Sequence, residues 1–522
     1  MRKKAVRRAR RSIPFVLPAP VGGLNGRDGA ADMPQTDAFV LDNIVPRNST
    51  CDTRNGHTQF ATGVTGPIMS LEVYRGPLGN KMLAFGGGKV YDATLGGTLA
   101  ATLTTGRNSD TVNTVMFSNA GNQYMLGCNG IDAPFSFDGA TFANLAITGV
   151  SGTQNNISSM LGFKGRMFLG SKTQLGFYYL AVGAIQGAAS YFDLQQIASR
   201  GGYLLGMCAV SQDMGNGPSD YMVFITSEGE YIVYAGTDPS SAANWTLVSR
   251  YYAAPPLNGR SWFSFRSDVY FITQEGVVSF TQIKATSDSA AKDQYISSKL
   301  GRYLSDLNAY SGTVGWQGMA YPRGNLLVVN APASASVAGN FYQFVMNTNT
   351  NAWARFTGWN GICFCVMGGR LYFGTYSGKI MLADEGATDN GQAILCDARQ
   401  AYNDFDDGAG TGIGYADKQF HFATFVVAST GTPAISAQCN VNYEDAAPDY
   451  AGLPTATGAT WDVATWDIDS WADDSQIQNF TVSFGKIGYA ASAWLRISTL
   501  GGPLKWYATR MIYEKTSGIV IT

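Results

Sequence analysis

Apolar positions fall in short runs along most of the chain, and a recurring turn separates many of these runs. The turn consists of Gly or Thr, two variable residues and Gly, and a second apolar run follows it. It occurs in MLGCNGIDAPF, FITSEGEYIVY, FITQEGVVSF and FGTYSGKIML, with its last glycine at Gly130, Gly229, Gly276 and Gly378. It also occurs in AFGGGKVYDA, with its last glycine at Gly88 and one variable residue instead of two. Tight hairpin turns need positive φ, which glycine adopts without steric cost. The pattern therefore predicts a series of β-hairpins.

Two further stretches are degenerate copies of this hairpin. MFLGSKTQLGFYYL has Thr173 at the glycine position, and in LLVVNAPASASVAGNFYQFV the turn has lengthened into a loop. Successive turns up to Gly276 lie 42 to 56 residues apart, and the 102 residues from Gly276 to Gly378 leave room for the lengthened copy. Repeats of this length are typical of propeller blades. We therefore predict an all-β chain containing a β-propeller of six or seven blades.

The turn motif stops near residue 390, although strand-like runs such as FHFATFVVAS and NFTVSFGKIGY continue. This change predicts an additional β-rich domain built from the chain ends. In DQYISSKLGRYLSDLN the apolar positions recur at helical spacing, which predicts one helix near residues 293 to 308. The predicted domains are a basic, Pro-rich arm (1–20), an irregular segment packing on the C-terminal domain (21–60), the propeller (61–390) and a C-terminal β domain (391–522).

Composition supports the all-β prediction. The 522 residues include 62 glycines and 18 prolines, and aromatic residues make up 12% of the chain. Charged residues make up only 14%, against about 25% in ordinary soluble domains. Many short strands joined by Gly-rich turns fit these values.

Charge is distributed unevenly. The net charge is −2, but seven of the 36 basic residues precede residue 12: Arg2, Lys3, Lys4, Arg7, Arg8, Arg10 and Arg11. The rest of the chain is acidic, and an acidic surface binds nucleic acid poorly because Lys and Arg supply most phosphate contacts. We consider three interpretations of this basic arm: a solvated tail, a segment that contacts DNA, and a segment that binds an acidic protein partner.

The sequence predicts neither export nor a membrane-spanning segment. SIPFVLPAPVGGLNG, which follows the basic residues, contains three prolines and no long apolar run. No run reaches the ~18 apolar residues that a spanning helix needs. The seven cysteines include no CxxC pair, which favours reduced, buried thiols in a protein made in a cytoplasm.

We find no motif that requires catalysis, a cofactor or a metal ion. The chain has two histidines, His57 and His421, with no ligand or triad partner at a usual spacing. The acidic stretch NDFDDGAGTG (403–412) departs from the calcium-loop spacing, so a hairpin is the simpler interpretation. Asp138-Gly139 likewise fits a hairpin turn. We therefore predict a non-enzymatic protein without a cofactor.

The stretch WDVATWDIDSWADDS contains two Trp-Asp dipeptides. Trp461, Trp466 and Trp471 are five residues apart, whereas WD-repeat blades carry one such dipeptide per roughly 40 to 45 residues. The spacing also fits neither one strand face nor one helix face. It indicates aromatic-anchored turns outside the blades.

Both chain ends carry motifs that resemble a known family. PAPVGGLNGRDGAADMPQTDAFVLDNIVPRNSTCDTRNG contains Gly23-Leu24-Asn25, Met33-Pro34, Asp37-Ala38, Leu41-Asp42-Asn43, Pro46 and Arg54-x-Gly56. The C-terminal motifs are WDVATWDIDSW, SFGKIGYAASAWLRIS and GGPLKWYATRMIYEK. In these stretches the chain resembles the nozzle proteins of short-tailed bacteriophages, also called tail tubular protein B or packaged-DNA stabilisation protein.

The resemblance implies a structural virion protein, made in the host cytoplasm and assembled into the tail. Such a protein forms a homohexameric ring that docks on the tail adaptor ring, with tail fibres or spikes as further partners. The ring surrounds a channel that retains packaged DNA and later passes it to the host without sequence-specific binding. The C-terminal domain would then contact the adaptor or a ring neighbour.

Two expectations follow for such a ring. Because the chain beyond the arm is acidic, we expect acids and small polar residues to line the channel, with at most a sparse basic ring. We also expect Met1 to Ser12 to lie outside the folded core and to dock on a neighbouring ring. Candidate interface residues are Arg27, Asp28, Asp37, Trp461, Trp466 and Trp471, although burial in the core is the simpler interpretation for at least one of these Trp residues.

Two other functions remain open from the sequence. A glycan-binding or glycan-cleaving propeller would need a deep central pocket with convergent acids, arginine and an aromatic platform. A scaffold propeller in a bacterial complex would keep the fold without the ring.

Overall fold

The computed structural model describes residues 12–77, 79–213, 218–285, 295–334, 341–406, 416–429, 434–451, 476–500 and 504–516. The chain forms two compact units. Unit 1 contains Met1–Thr58, Phe344–Thr357 and Asp384–Thr522, and unit 2 contains Gln59–Gln343 and Gly358–Ala383. The predicted propeller bounds of 61 and 390 therefore differ from unit 2 mainly at residues 344–357, which belong to unit 1.

The strands up to the first propeller sheet are β1 (Ile13–Pro18), β2 (Gly23–Leu24), β3 (Asp37–Asp42), β4 (Ile44–Pro46), β5 (Cys51–Thr53) and β6 (His57–Thr62). The next are β7 (Ile68–Gly76), β8 (Gly79–Gly86), β9 (Lys89–Asp92), β10 (Gly97–Thr98), β11 (Thr102–Thr105), β12 (Asn113–Ser118), β13 (Gln123–Cys128), β14 (Phe135–Phe137), β15 (Phe142–Asn144), β16 (Ile147–Thr148), β17 (Ile157–Phe163), β18 (Arg166–Ser171), β19 (Gly176–Tyr179), β20 (Gly187–Ala188) and β21 (Ser190–Asp193). They are followed by β22 (Leu204–Asp213), β23 (Pro218–Thr226), β24 (Glu230–Gly236), β25 (Trp245–Tyr252), β26 (Trp262–Phe265), β27 (Asp268–Thr273), β28 (Gly276–Ser279), β29 (Gln317–Tyr321), β30 (Leu326–Pro332), β31 (Phe341–Asn347), β32 (Trp353–Phe356), β33 (Gly361–Met367), β34 (Arg370–Thr375) and β35 (Ile380–Ala383). The last are β36 (Ile394–Gln400), β37 (Lys418–Ser429), β38 (Ala434–Val441), β39 (Gln476–Gly488), β40 (Ala491–Thr499) and β41 (Leu504–Lys515), and the α-helices are α1 (Phe280–Ala285) and α2 (Gly301–Leu307).

Unit 2 is a β-propeller. Its described residues form seven successive groups of paired strands: β7–β8–β9–β11, β12–β13–β14–β15, β17–β18–β19–β21, β22–β23–β24–β25, β26–β27–β28, β29–β30–β31 and β33–β34–β35. The sixth group is part of a nine-stranded sheet, and β16 and β20 form a separate short pair. The seventh group also contains β6, next to β35, so a strand from the start of the unit completes the last blade. This pairing closes the ring of blades, and the all-β propeller prediction is confirmed with seven blades.

The repeated turns join the second and third strands of successive blades. Gly88 separates β8 from β9, Gly229 separates β23 from β24, and Gly378 separates β34 from β35. These three glycines have φ of 72°, 74° and 74°. Thr173 lies between β18 and β19, and the lengthened copy lies between β30 and β31. The sequence repeat therefore marks the same hairpin in each blade.

A pair of glycine variants separates backbone strain from steric clash at these turns. Gly229 and Gly183 both have φ of 74°, but a Cβ on Gly229 would lie 2.0 Å from the carbonyl oxygen of Ala253, whereas a Cβ on Gly183 meets nothing within 4 Å. We expect Gly183→Ala to lower the free energy of unfolding by about 1 kcal/mol through backbone strain alone. Gly229→Ala should lower the free energy of unfolding by at least about 2 kcal/mol more, because the backbone at Gly229 and Ala253 must also move apart. Urea unfolding of both variants tests this, and equal losses would contradict it.

Unit 1 joins the two ends of the chain. One of its sheets has the order β39–β37–β41–β5–β4, with β1 also paired with β41. In the other, β3 is flanked by β32 and β36, and β40 and β38 follow β36. The strand pair β1–β41 is antiparallel, from Ile13 opposite Tyr513 to Pro18 opposite Ala508. The segment 21–60, predicted to be irregular, thus contains short strands that complete C-terminal sheets.

The helical prediction near residues 293 to 308 is only partly matched. The α-helix α2 is shorter, and a 3₁₀ turn, Ser298–Leu300, precedes it. The predicted apolar face is present, since Leu300, Leu304 and Leu307 are buried. The helix α1, which follows β28 directly, was not predicted from the sequence. Neither of these helices is long and apolar enough to cross a membrane.

All seven cysteines are buried and unpaired. Burial raises the pKa of Cys363, Cys396 and Cys439 to about 12. Because the thiolate is the reactive form, these thiols should be unreactive in the folded protein. We expect no reaction with Ellman's reagent at pH 8 under native conditions and reaction of all seven thiols in denaturant. Rapid labelling of the native protein would contradict this expectation.

Candidate functional sites

Two of the predicted interface residues lie at the surface of unit 1. Arg27 and Asp28 follow β2, and Nε of Arg27 donates to Oδ1 of Asp28 over 2.7 Å. The Arg27 side chain is 40% exposed. An intersubunit contact through these two residues therefore stays a prediction.

Asp37 has an internal position instead. It is 1% exposed, and its Oδ2 accepts a hydrogen bond from Nδ2 of Asn25 over 2.7 Å. Its backbone oxygen accepts from the backbone N–H of Ala401. Contrary to the prediction, this carboxylate has almost no surface for a partner, because it is used to hold the start of β3 in the fold.

The remaining predicted contact residues lie outside the described residues. They are Trp461, Trp466 and Trp471, and the basic arm Arg2, Lys3, Lys4, Arg7, Arg8, Arg10 and Arg11. Asp407 and Gly408 of the acidic stretch lie outside them as well. Within the described residues, no group of three or more His, Cys, Asp or Glu side chains is arranged to hold a metal ion.

The N-terminal motif residues have structural roles that explain their identities. Oδ1 of Asn25 accepts the backbone N–H groups of Arg27 and Asp28, both at 3.0 Å, and so closes a turn. Gly23 has φ of 89°, and a Cβ there would lie 2.6 Å from the carbonyl oxygen of Trp353. Gly56 is equally constrained, since its Cβ would lie 1.9 Å from the carbonyl oxygen of Thr388. These glycines allow close backbone approach inside unit 1.

Arg54 is the centre of a buried polar network in unit 1. Its guanidinium donates to both carboxylate oxygens of Asp389, over 2.8 and 2.6 Å, and its Nε donates to Oδ1 of Asn43 over 2.8 Å. A further bond reaches the carbonyl oxygen of Thr357. His57 places Nδ1 3.0 Å from Asp389. The network joins three separate parts of the chain, at residues 43–57, 357 and 389.

The network fixes the charge of Asp389. Burial opposes ionisation of this carboxyl group, but hydrogen bonds and charge from Arg54 and His57 outweigh burial and lower its pKa. His57 thus has a carboxylate neighbour 332 residues away in sequence, which spacing along the chain could not indicate. Because Asp389 is already bound by Arg54, we interpret this pair as structural.

Two cavities lie on the propeller axis. The larger, of about 320 Å³, is lined by residues that include Ser109, Asn129, Lys172, Tyr203 and Trp316. The smaller, of about 230 Å³, is lined by residues of the first strands of the blades and of the segments that precede them. Asn113, Gly259, Arg260 and Gln317 contribute to both cavities.

An ion pair between Arg260 and Glu72 connects blades across the axis. Nη2 of Arg260 lies 3.3 Å from Oε1 of Glu72, and Oγ1 of Thr114 donates to Oε2 of Glu72 over 2.6 Å. Nη1 of Arg260 donates to Oγ of Ser70 over 2.9 Å and to the carbonyl oxygen of Met69 over 3.0 Å. Burial raises the pKa of Glu72, and Arg260 and Thr114 offset part of this effect. These contacts join the first, second and fifth blades.

A second polar feature of the axis is an unsatisfied hydroxyl group. Ser159, on β17, lines the smaller cavity and is 4% exposed. Its Oγ has no hydrogen-bond partner among the described residues. Buried hydroxyl groups are normally hydrogen-bonded, so this group has bonding capacity left beside the cavity.

Asp138 and the described part of the acidic stretch have contacts within the fold. Oδ1 of Asp138 accepts the backbone N–H groups of Ala140 and Thr141, and these bonds lower its pKa. This is the hairpin turn that the sequence favoured. Phe405, next to Asp404, is buried and contacts Phe15 with a centroid distance of 5.1 Å.

Comparisons with known proteins add no functional assignment. No family model and no curated protein matches the sequence. Solved structures similar to the chain include BBS1N in complex with ARL6DN, at 11% identity and a TM-score of 0.39, covering 63% of this chain and 97% of that one. The computationally designed Ika8 protein has 10% identity and a TM-score of 0.34, covering 62% and 99%. Chaetomium thermophilum Raptor has 9% identity and a TM-score of 0.37, covering 63% and 28%.

Sequence reasoning missed the axial residues. Glu72 lies in the otherwise largely apolar run IMSLEVY, and an acid within a buried strand pattern is a signal that it has a specific partner. The partner itself could not be found in this way, since Arg260 lies 188 residues further along the chain.

Proposed function

We propose that this protein is a structural subunit of a short-tailed phage virion, a tail nozzle that forms a homohexameric ring around the DNA channel. The observation that carries the proposal is that the two stretches resembling nozzle proteins fold together. Strand β5 of the first stretch pairs with β41 of the last, and β3 of the first stretch lies in one sheet with β40, with β36 between them. A resemblance at the two ends of a chain is therefore a resemblance in one folded unit.

The DNA channel of this proposal lies between copies of the chain. Within one copy, the Arg260–Glu72 pair joins blades across the propeller axis, and the axial cavities are the size of small molecules. A duplex cannot follow this axis. Several copies in a closed ring would provide a wider opening, as cyclic assemblies do.

The proposed role is non-enzymatic. Glycoside hydrolysis usually needs two carboxyl groups on either side of the scissile bond. In the described lining of both axial cavities, Glu72 is the only acid, and it is bonded to Arg260 and Thr114. This arrangement favours a structural protein over the glycan-cleaving alternative.

Electron microscopy of the purified full chain, alone and mixed with its tail adaptor, tests the proposal. We expect class averages with six-fold symmetry and an open centre, at least in the presence of the adaptor. Single particles that never join the adaptor, or absence of the chain from purified virions, would overturn the nozzle assignment.

The same particles test the two expectations about charge. In a ring structure, we expect the channel surface to be dominated by acids and small polar residues; a bore coated with Lys and Arg would contradict this. Deletion of residues 2–11 should reduce incorporation into particles if the basic arm docks on a neighbouring ring. Unchanged incorporation would show that the arm is dispensable for assembly.

A further inference from the structure

We propose that the larger axial cavity of the propeller binds a small hydroxylated organic anion, such as a sugar acid or a sugar phosphate. This inference concerns unit 2 alone and does not depend on the nozzle assignment. The volume of the larger cavity, about 320 Å³, lies at the lower end of the ~300–1,000 Å³ usual for small-molecule sites.

The charge of the lining selects an anion. The two charged residues that line the larger cavity are Lys172 and Arg260, and no Asp or Glu contributes to this lining. Arg260 is held by Glu72 from the smaller cavity, whereas Lys172 is exposed and has no ion pair or side-chain hydrogen bond among the described residues. In a chain with more acids than bases, an acid-free cavity with an unpaired ammonium group attracts negative charge.

The remaining lining selects hydroxyl groups. The amide groups of Asn129 and Gln317 line the cavity but already bond to Asp132 and to the backbone of Phe364. Hydroxyl groups of Ser and Thr residues line it as well, among them Thr111, Ser158, Ser311 and Thr313. These groups both donate and accept hydrogen bonds, as hydroxylated ligands require. Tyr203, 39% exposed, and Trp316 add aromatic surface, on which the apolar face of a sugar ring can pack.

Ser159 supplies an independent observation. The smaller cavity shares Arg260, Asn113 and Gln317 with the larger one, and Ser159 lines it with a buried, unsatisfied Oγ. An unmet hydrogen bond of this kind costs free energy in the unliganded protein. A ligand hydroxyl, or a water that a ligand orders, would satisfy it.

Isothermal titration calorimetry on the full chain tests the proposal with glucuronate, glucose 6-phosphate, inorganic phosphate and glucose at up to 10 mM. We expect glucuronate or glucose 6-phosphate to bind, and glucose to bind at least tenfold more weakly. Binding by phosphate as tight as by glucose 6-phosphate would reduce the site to a simple anion site and overturn the hydroxylated class. Absence of binding by both hydroxylated anions would overturn the whole proposal.

Two variants with a matched control place the ligand in the cavity. Lys172→Met should weaken binding of the anion at least tenfold while leaving the melting temperature unchanged, since Lys172 has no side-chain partner to lose. Ser159→Ala should weaken binding several-fold without destabilising the unliganded protein. The control is Ser498→Ala in unit 1, which removes another buried, unsatisfied hydroxyl group and should leave binding unchanged. Wild-type affinity in both cavity variants would overturn the proposed location.

Discussion

Replacement of Arg54 by Met is expected to destabilise unit 1 by about 3–5 kcal/mol, the usual cost of removing one partner of a buried ion pair. The Arg54 side chain is 1% exposed. Its loss leaves the Asp389 carboxylate in the protein interior without its main partner, and it also leaves Oδ1 of Asn43 and the carbonyl oxygen of Thr357 with one hydrogen bond fewer.

The measurement is urea unfolding combined with hydrogen exchange of the unit 1 strands, because a chain of two units need not unfold in one step. Arg54→Lys should recover only part of the loss, since an ammonium group cannot reproduce the bidentate contact with Asp389. The control is Arg27→Met, which breaks an exposed ion pair and should cost at most about 1 kcal/mol. A loss below that value for Arg54→Met would show that the network is dispensable.

The Arg54 variant should also change the pH dependence. Because the folded-state pKa of Asp389 lies below the ordinary value of 3.8, its ionised form contributes stability above that value, and the contribution is lost as pH falls through the folded-state pKa. Without Arg54 much of this contribution is absent. The difference in unfolding free energy between wild type and variant should therefore be largest at pH 7 and should decrease below about pH 4.

A second large effect is expected on the propeller axis. Arg260→Met leaves the Glu72 carboxylate without its cation and removes the donors to Ser70 and Met69. We expect a loss of about 3 kcal/mol at pH 7. The double variant Glu72→Gln, Arg260→Met should lose less than Arg260→Met alone, because no isolated charge remains near the axis.

The direction of the pH effect here is opposite to that for Asp389. Burial raises the folded-state pKa of Glu72, so its ionised form costs stability above that pKa, and stability is regained as pH falls through it. Removing Arg260 raises this pKa further. The defect of Arg260→Met should therefore shrink between pH 7 and pH 5, whereas the defect of the double variant should stay nearly constant. Unfolding curves at both pH values check this, and a defect that grows at pH 5 would contradict it.

The sequence alone determined the repeated unit of the propeller. Gly88, Gly229 and Gly378 were predictable because the positive φ of a hairpin turn is a local requirement, met by the residue itself. Alternating apolar runs on either side of each turn then specified strands, and the spacing specified the blades. The C-terminal strands could be predicted for the same local reason.

Tertiary structure decided which distant residues meet. Neither the pairing of β6 with β35 nor the presence of residues 344–357 in unit 1 has a local signal. Arg54 meets Asp389 across 335 residues, and Arg260 meets Glu72 across 188. Asp37, predicted at an interface, proved to be buried for a similar reason. Turn and strand preferences act between neighbours in the chain, whereas an ion pair depends only on distance in space, which exists once the blades and both chain ends have packed.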